Sequence, residues 1–409
     1  MKEIYPHLRT GMAAYLVTSL PVVVGLCFGM TMLQPKMPAD GEKATPRWLE
    51  SCSRFDGRHY ASIAENGYEF DPHRGSNIAF FPAYPYCGRL IMELTGWSVQ
   101  FSLLVVANAA LAGTFILLSV YSQARTRDTD RDLSTQRGEL ALLALGFSPA
   151  SLFFRMTYSE SLFMLVELMF LLGCYRKWSL GELAFLAGLG TAIRPVGLAF
   201  PFTLMWFILH DSAEGSWLRR IGKVVLVSPL ACWGLLVFMG EQWMEFSNPI
   251  AFAEIQRNWH RMPLDTPAYE KVMALLTGEP IWGVYTADPR QSWMTTDPHG
   301  NPVLSVAFWN PILFVSTCGL VVFGAVRRWL TSVEIILSMG LLLIPYVTKG
   351  YDNAMLSHAR FAAIVMPAYL VLARWGTTVS RWVMRGWVAL AITLLVCWTA
   401  LFASGHPVF

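Results

Sequence analysis

The chain has 409 residues, of which 54% are apolar and only 14% charged, with 16 tryptophans and a formal net charge of +3. Soluble domains of this length do not have that balance, so the chain is expected to live in a bilayer. Its basic residues are spread through short loops and form no stripe, which argues against a nucleic-acid partner. Seven cysteines are scattered without metal-ligand spacing. Cys27, Cys174, Cys232, Cys318 and Cys397 sit in apolar runs, where a free thiol acts as a small hydrophobe. Cys52 and Cys87 share a polar segment that would let them pair in an oxidising compartment, a connectivity that sequence does not set.

Apolar runs predict about eleven crossings. In chain order they cover residues 11–33, 100–122, 139–155, 161–174, 180–193, 196–209, 223–240, 305–326, 332–348, 361–373 and 386–403. The first is too long and wrongly flanked for a cleaved signal peptide and reads as a retained anchor. With a cytoplasmic N-terminus, the basic loops fall on one side: Arg9, the group Arg125, Arg127, Arg131 and Arg137, then Arg176-Lys177, Arg219-Arg220-Lys223, Arg327-Arg328, and Arg374 with Arg381 and Arg385. The other side receives two long segments, 34–99 and 241–304, within what reads as one integral-membrane domain, 1–409. It also receives the short turns at 158–160, 194–195 and 349–360. Every unusual polar cluster therefore falls on the non-cytoplasmic face.

The first long segment opens with a connector, 36–46. Residues 48–66 then have helical spacing, with Phe55, Tyr60, Ile63 and Ala64 on one side, as in a helix lying in the interface. Gly67 stops it. Phe80-Phe81-Pro82 and Pro85 break the chain before a second apolar run, 90–94. The aromatic side chains here suit the headgroup zone, either as loop anchors or as part of a site.

Asp56 stands out in this setting. A carboxylate at the hydrocarbon edge costs about 3 kcal/mol unless it is paired or solvated. Arg54, Arg58 and His59 are structural partners for it; the other reading makes it a general base in a site shielded from water. Pro149 breaks the 139–155 run, and a broken helix is tolerated in a membrane only against protein or a watery cavity. A re-entrant segment through Arg155 to Tyr158-Ser159-Glu160 follows. Arg194-Pro195 repeats the pattern, placing a guanidinium at a helix break, where it suits phosphate or a structural pairing with Glu160. Arg360, after Ser357-His358-Ala359, is a candidate of the same type. Glu167 lies mid-span and reads as a buried, hydrogen-bonded helix contact. The first long segment has no Asp-x-Asp pair, and Asp71, Asp288 and Asp297 read as turn residues, so no metal ligand is assigned.

Phe55-Asp56-Gly57-Arg58-His59-Tyr60, with Ile63-Ala64-Glu65-Asn66-Gly67-Tyr68 and Ala79-Phe80-Phe81-Pro82, resembles the signature of GPI mannosyltransferase II (PIG-V) and its bacterial relatives. Pro149 with Tyr158-Ser159-Glu160-Ser161-Leu162-Phe163, and Thr191 through Gly197, are similar to the next two blocks of that family. Asn248-Pro249-Ile250-Ala251-Phe252 with Gln256 and Trp259, then Ser357 through Pro367, resemble its later ones. The matches run in family order from about Phe55 to Pro367. One departure is Phe55, where the family usually has tryptophan. Another is a length modest for a eukaryotic member, which points to a bacterial relative.

The resemblance implies an all-α polytopic membrane protein of the GT-C glycosyltransferase type. It also implies transfer of a hexose, expected to be mannose, from a polyprenyl-phosphate donor to an acceptor hydroxyl with inversion. The reaction would take place on the periplasmic or lumenal face of a bacterial inner membrane, or of the endoplasmic reticulum in a eukaryote. The acceptor, whether glycan, lipid or protein, is left open. In that scheme Asp56 is the base, oriented by His59. Arg194 and Arg360, with Arg58, meet the leaving phosphate, and Tyr158 and Glu160 hold sugar hydroxyls. No cofactor is implied beyond the donor lipid, although some relatives in the wider fold class bind a divalent ion, which leaves a weak metal site open. Two other classes compete: a lipid-linked-sugar flippase, which would show inverted repeats and charge through both leaflets, and a non-catalytic membrane scaffold.

Overall fold

The computed structural model describes residues 5–34, 46–73, 75–125, 131–210, 216–296 and 300–406, and within them every regular element is helical. Residues 36–45 of the expected connector, together with Arg127 and Asp297, lie outside the described residues. Helix α1 (Tyr5–Met32) is followed by three short helices, α2 (Arg47–Cys52), α3 (Asp56–Asn66) and α4 (Ala83–Thr95), and then by the long α5 (Val99–Arg125). Next come α6 (Arg131–Phe147), α7 (Leu152–Arg155), α8 (Glu160–Arg176), α9 (Leu180–Ile193) and α10 (Ala199–Leu209). α11 (Trp217–Ala231) and α12 (Trp233–Phe246) lead into the short helices α13 (Ala251–Glu254), α14 (Ala268–Thr277), α15 (Glu279–Gly283) and α16 (Trp293–Thr296). The last five are α17 (Val306–Val326), α18 (Ser332–Pro345), α19 (His358–Ala363), α20 (Met366–Gly376) and α21 (Arg381–Ala403).

By length and composition α1, α5, α17, α21 and the stretch 332–350 suffice to cross a membrane, which makes the chain a multi-pass membrane protein. Two bent pairs bring the number of candidate spans to as many as seven: 149–155 with α8, bent by 98°, and α11 with α12, bent by 48°. α9 and the stretch 195–209 are shorter apolar helices. The 139–155 run is broken where Pro149 was expected to break it, and two runs expected as single crossings are broken as well, each with a proline at or near the break. α6 ends at Phe147, just before Pro149 opens a tight 3-10 turn. α11 carries Pro229 three residues before the bend at Cys232. The 361–373 run is split between Ala363 and Met366, with Pro367 in the first turn of α20. Proline supplies no backbone donor and clashes with the preceding turn, so each break frees polar backbone that the protein interior must satisfy.

Two buried carboxylates satisfy helix starts, the first at one of these breaks. Glu167 accepts from the backbone N–H of Met366 at 3.1 Å, at the opening of α20, and is the buried, hydrogen-bonded contact expected of it. Glu334 closes a capping box with Thr331 at the start of α18 and also accepts from Tyr121 Oη at 2.7 Å and Arg125 Nε at 2.9 Å. The end of α5 is thereby tied to the start of α18.

α1 lies against α21 through small residues. A Cβ on Gly29 would stand 2.3 Å from the Ala400 carbonyl oxygen, and one on Gly25 would stand 2.7 Å from Thr399 Cβ. Between apolar helices in lipid, this close backbone approach supplies the packing that the hydrophobic effect does not. Gly29→Val is expected to push the two helices apart and to lower thermal stability in detergent, by about 1–3 kcal/mol if the core behaves as overpacked cores do. An unchanged unfolding midpoint would show that the helices do not depend on this contact.

Candidate active site

The site forms where the broken helices meet. Phe55 has φ of +52°, a region costly for a residue with a side chain, by roughly 1–3 kcal/mol. Its ring is held against Phe402, with centroids 5.5 Å apart. This reversal sets Asp56 as the first residue of α3, where a carboxylate also meets the positive end of the helix. The next residue must be glycine for space, because a Cβ on Gly57 would stand 2.3 Å from Thr157 Oγ1. Thr157 belongs to the break between α7 and α8, and its N–H donates to the Cys52 carbonyl at 3.1 Å. The first long segment and the re-entrant segment are thus clamped together.

Arg360 sits on α19, just after a turn in which Ala354, Met355 and Ser357 all have positive φ. Its Nη1 lies 2.6 Å from Asp56 Oδ2, and its Nε lies 3.2 Å from Glu160 Oε1. Arg194, extended between α9 and the turn at Pro195, places Nη1 2.7 Å from the same Glu160 oxygen and donates to Ser159 Oγ at 3.2 Å. Ser159 Oγ is in turn 2.8 Å from Tyr60 Oη. The Arg360 guanidinium also faces the rings of Tyr158 and Phe153, at 5.3 and 5.4 Å from their centroids. Lys349 joins the cluster with its Nζ 5.9 Å from the Phe361 centroid. Three cations facing two carboxylates leave one positive charge in surplus.

Asp56, Arg194, Lys349 and Arg360 line one cavity of about 230 Å³, with Phe80, Gln256 and Trp259 on its walls. Burial pushes the Asp56 carboxyl up, but the charge and hydrogen bond of Arg360, with smaller help from His59 and Lys349, more than offset this and hold it below the usual aspartate value. Burial pulls the His59 imidazole below its usual value, against a partial opposing pull from Asp56, so the ring is neutral at pH 7.

The expected residues are not all placed as their expected roles require. Asp56, Arg194 and Arg360 come together although 304 positions separate the first from the last. His59 stacks on Phe80 at 4.7 Å with its edge toward Trp259, and its tie to Asp56 is electrostatic. Arg58 points toward Glu50, 3.9 Å away, and Arg54 toward the same carboxylate at 3.3 Å, so the ion-pair partner of Asp56 is Arg360 and not a residue next to it in sequence. Tyr158 and Glu160, expected to hold sugar hydroxyls, are buried behind the arginines. Tyr158 Oη donates to the Arg54 carbonyl at 3.2 Å, and Glu160 is spent on the two guanidinium groups. Cys52 and Cys87 are both free thiols, the first buried and the second exposed. Lys349 was not among the expected site residues; its signal was a lone cation closing an apolar run just before a polar turn.

A buried acid-and-arginine cluster where broken helices meet thus lines a cavity in a membrane protein. Residues 29–226 match the model of the family described as mannosyltransferase (PIG-V). The chain is 30% identical over 194 residues to GPI alpha-1,6-mannosyltransferase 2 of Cricetulus griseus, a match covering 44% of this chain and 35% of that protein. The chain is similar to that family over this stretch, about half of its length, and it spans about a third of the length of the curated relatives it matches. The family match holds Asp56, His59, Glu160 and Arg194, whereas Lys349 and Arg360 come from beyond it. Among solved structures, 99% of the chain aligns with 56% of the apo oligosaccharyltransferase of Archaeoglobus fulgidus, with a TM-score of 0.46 and 14% identity. A further 96% alignment covers 76% of ArnT from Cupriavidus metallidurans bound to undecaprenyl phosphate, with a TM-score of 0.44 and 13% identity.

Glu160→Gln would leave Arg360 with Asp56 alone and take from Arg194 the carboxylate it is paired with. Removing one partner of a buried ion network typically costs about 3–5 kcal/mol. The variant is therefore expected to unfold well below the parent in a thermal melt in detergent, and a melt within a degree of the parent would show that Glu160 does not hold the arginines.

Proposed function

We propose that this protein is a GT-C-type glycosyltransferase that moves a hexose, mannose by its family resemblance, from a polyprenyl-phosphate donor to an acceptor hydroxyl. The observation that carries the proposal is the convergence of Asp56, Arg194, Lys349 and Arg360 on one cavity. A lipid phosphate leaving group is already anionic and needs cations, not a proton, as the sugar–phosphate bond breaks through an oxocarbenium-like state. The three cations supply that charge. The bond from the anomeric carbon to the phosphate oxygen breaks, the bond to the acceptor oxygen forms on the opposite face, and the hydroxyl proton passes to Asp56. The product is inverted at the anomeric carbon, and the lipid phosphate leaves with the bonding pair.

The ion pair with Arg360 keeps Asp56 ionised but makes it a weak base. In this scheme an incoming donor phosphate competes for Arg360, and the basicity of Asp56 rises only once the donor is seated. Phe80 and Trp259, on the cavity wall, offer aromatic surface to the sugar or the first isoprene units. The distribution of basic loops supports a cytoplasmic N-terminus and a non-cytoplasmic site, in the bacterial inner membrane or, in a eukaryotic host, the endoplasmic reticulum. The acceptor belongs to the same proposal only as a hydroxyl-bearing glycan, lipid or protein.

Incubation of the purified protein with polyprenyl-phosphate hexoses is expected to release lipid phosphate, read by mass spectrometry, and to do so best with mannose. Asp56→Asn keeps the shape and removes the basicity, so transfer should fall by about 10²-fold or more at similar expression; unchanged transfer would favour a scaffold. The pH profile is a second test. Because the folded-state value of Asp56 lies below the ordinary one of 3.8, the base stays ionised and kcat/KM should show no aspartate limb through the usual carboxylate range. The stability that this ion pair contributes is likewise present above that range and lost as pH falls through the depressed value. In Arg360→Met, burial acts on Asp56 with its main opposing charge removed, and an acid limb should move up into view. Identical acid limbs in the two proteins would sink the assignment of Asp56 as the base.

A further inference from the structure

α18 has a pocket at each end. Its C-terminal end, at Ile344 and Pro345, lines the cavity already described, and its N-terminal end, at Thr331, lines a second cavity of about 190 Å³. The helix between them rises about 20 Å at 1.5 Å per residue, so the two pockets lie on opposite faces of the protein. Four arginines from four separate elements meet in the second: Arg125 at the end of α5, Arg137 on α6, Arg328 in the turn after α17, and Arg374 in the last turn of α20.

Their charge is largely unanswered. Among the described residues the one carboxylate paired with them is that of Glu334, and it is already committed to Arg125, Tyr121 and the cap at Thr331. The charged neighbours that act on Arg374 are Arg137, Arg125 and Arg327, all cations. Arg137 Nε is buried and lacks a hydrogen-bond partner among the described residues. The guanidinium of Arg374 lies 4.9 Å over the Trp329 ring and that of Arg327 lies 5.8 Å from it, which fixes their position without neutralising them. Arg328 sits at φ of +55°, a strained backbone that persists only where the surroundings impose it.

We propose that this second cavity binds a phosphate-bearing anion. Guanidinium groups converging from several helices match phosphate oxygens by their fork geometry, and basic pockets between membrane helices are suited to anionic headgroups. An anion there would join the ends of α5, α6 and α20 to the turn before α18 and relieve the repulsion among Arg137, Arg328 and Arg374. The proposal does not depend on the transfer reaction. Two sources carry the same chemistry: the phosphodiester of an anionic membrane lipid and free phosphate in solution.

The test uses the full-length protein, delipidated in neutral detergent. Native mass spectrometry would count retained phosphatidylglycerol against phosphatidylcholine, and thermal unfolding would be followed with each lipid and with inorganic phosphate. Retention and stabilisation by phosphatidylglycerol that inorganic phosphate does not reproduce assigns the site to a lipid headgroup; stabilisation by inorganic phosphate with no preference between the lipids assigns it to a soluble anion. In either case the Arg137→Gln/Arg374→Gln double variant, which leaves the Arg125–Glu334 pair intact, should weaken binding at least ~10-fold. Wild-type protein that neither prefers phosphatidylglycerol nor responds to phosphate overturns the proposal, and that reading needs no variant to fold. An unchanged affinity in a folded double variant overturns it as well.

Discussion

Arg360 held between Asp56 and Glu160 is the contact on which the site depends. It joins α3, the start of α8 and α19, and through Glu160 it reaches Arg194 at the break after α9. Charges in such surroundings hold only when each is paired, because desolvation otherwise exceeds what the fold gains. The arrangement is therefore mutually dependent. Each acid is what allows an arginine to be buried, and the surplus cation leaves the pocket wall positive.

The strained backbone around this network follows from the same requirement. Phe55 and Ser357 both have positive φ immediately before the helices that carry Asp56 and Arg360. In each case the chain reverses sharply and then starts a helix whose first turns face the cavity. Proline does the complementary work on the apolar side, ending α6 and splitting α19 from α20, so that helix ends and not helix middles surround the pocket. Glu167 and Thr157 then satisfy or bridge the backbone that those breaks expose.

The molecule is polarised along its length. At one end of α18, Glu334 gathers Arg125, Tyr121 and the cap of its own helix into a closed, hydrogen-bonded knot beside a group of further arginines. At the other, Lys349 and Arg360 look into a space bounded by aromatic rings. Both ends concentrate positive charge, but only the second sets a carboxylate beside it in the cavity wall, and that difference separates the pocket proposed to move a proton from the one proposed to hold an anion.

Much of this was legible in the sequence. Composition determined the membrane class, the spacing of apolar runs located the long helices α1, α5, α17 and α21, and Pro149 marked a helix break, because these features follow from local chemistry. The motif stretches at Asp56, Glu160, Arg194 and Arg360 singled out the residues of the network for the same reason. What sequence did not supply was who pairs with whom. Arg58 and His59 were natural partners for Asp56 by adjacency, yet a helix start points neighbouring side chains in different directions, and the carboxylate meets a guanidinium 304 positions away. Tyr158 and Glu160 were legible as polar residues beside a site, while their burial behind the arginines, and the entry of Lys349, depended on how the broken helices pack. Local chemistry determines which residues are costly to leave unpaired in a membrane; only the tertiary structure decides which of them meet.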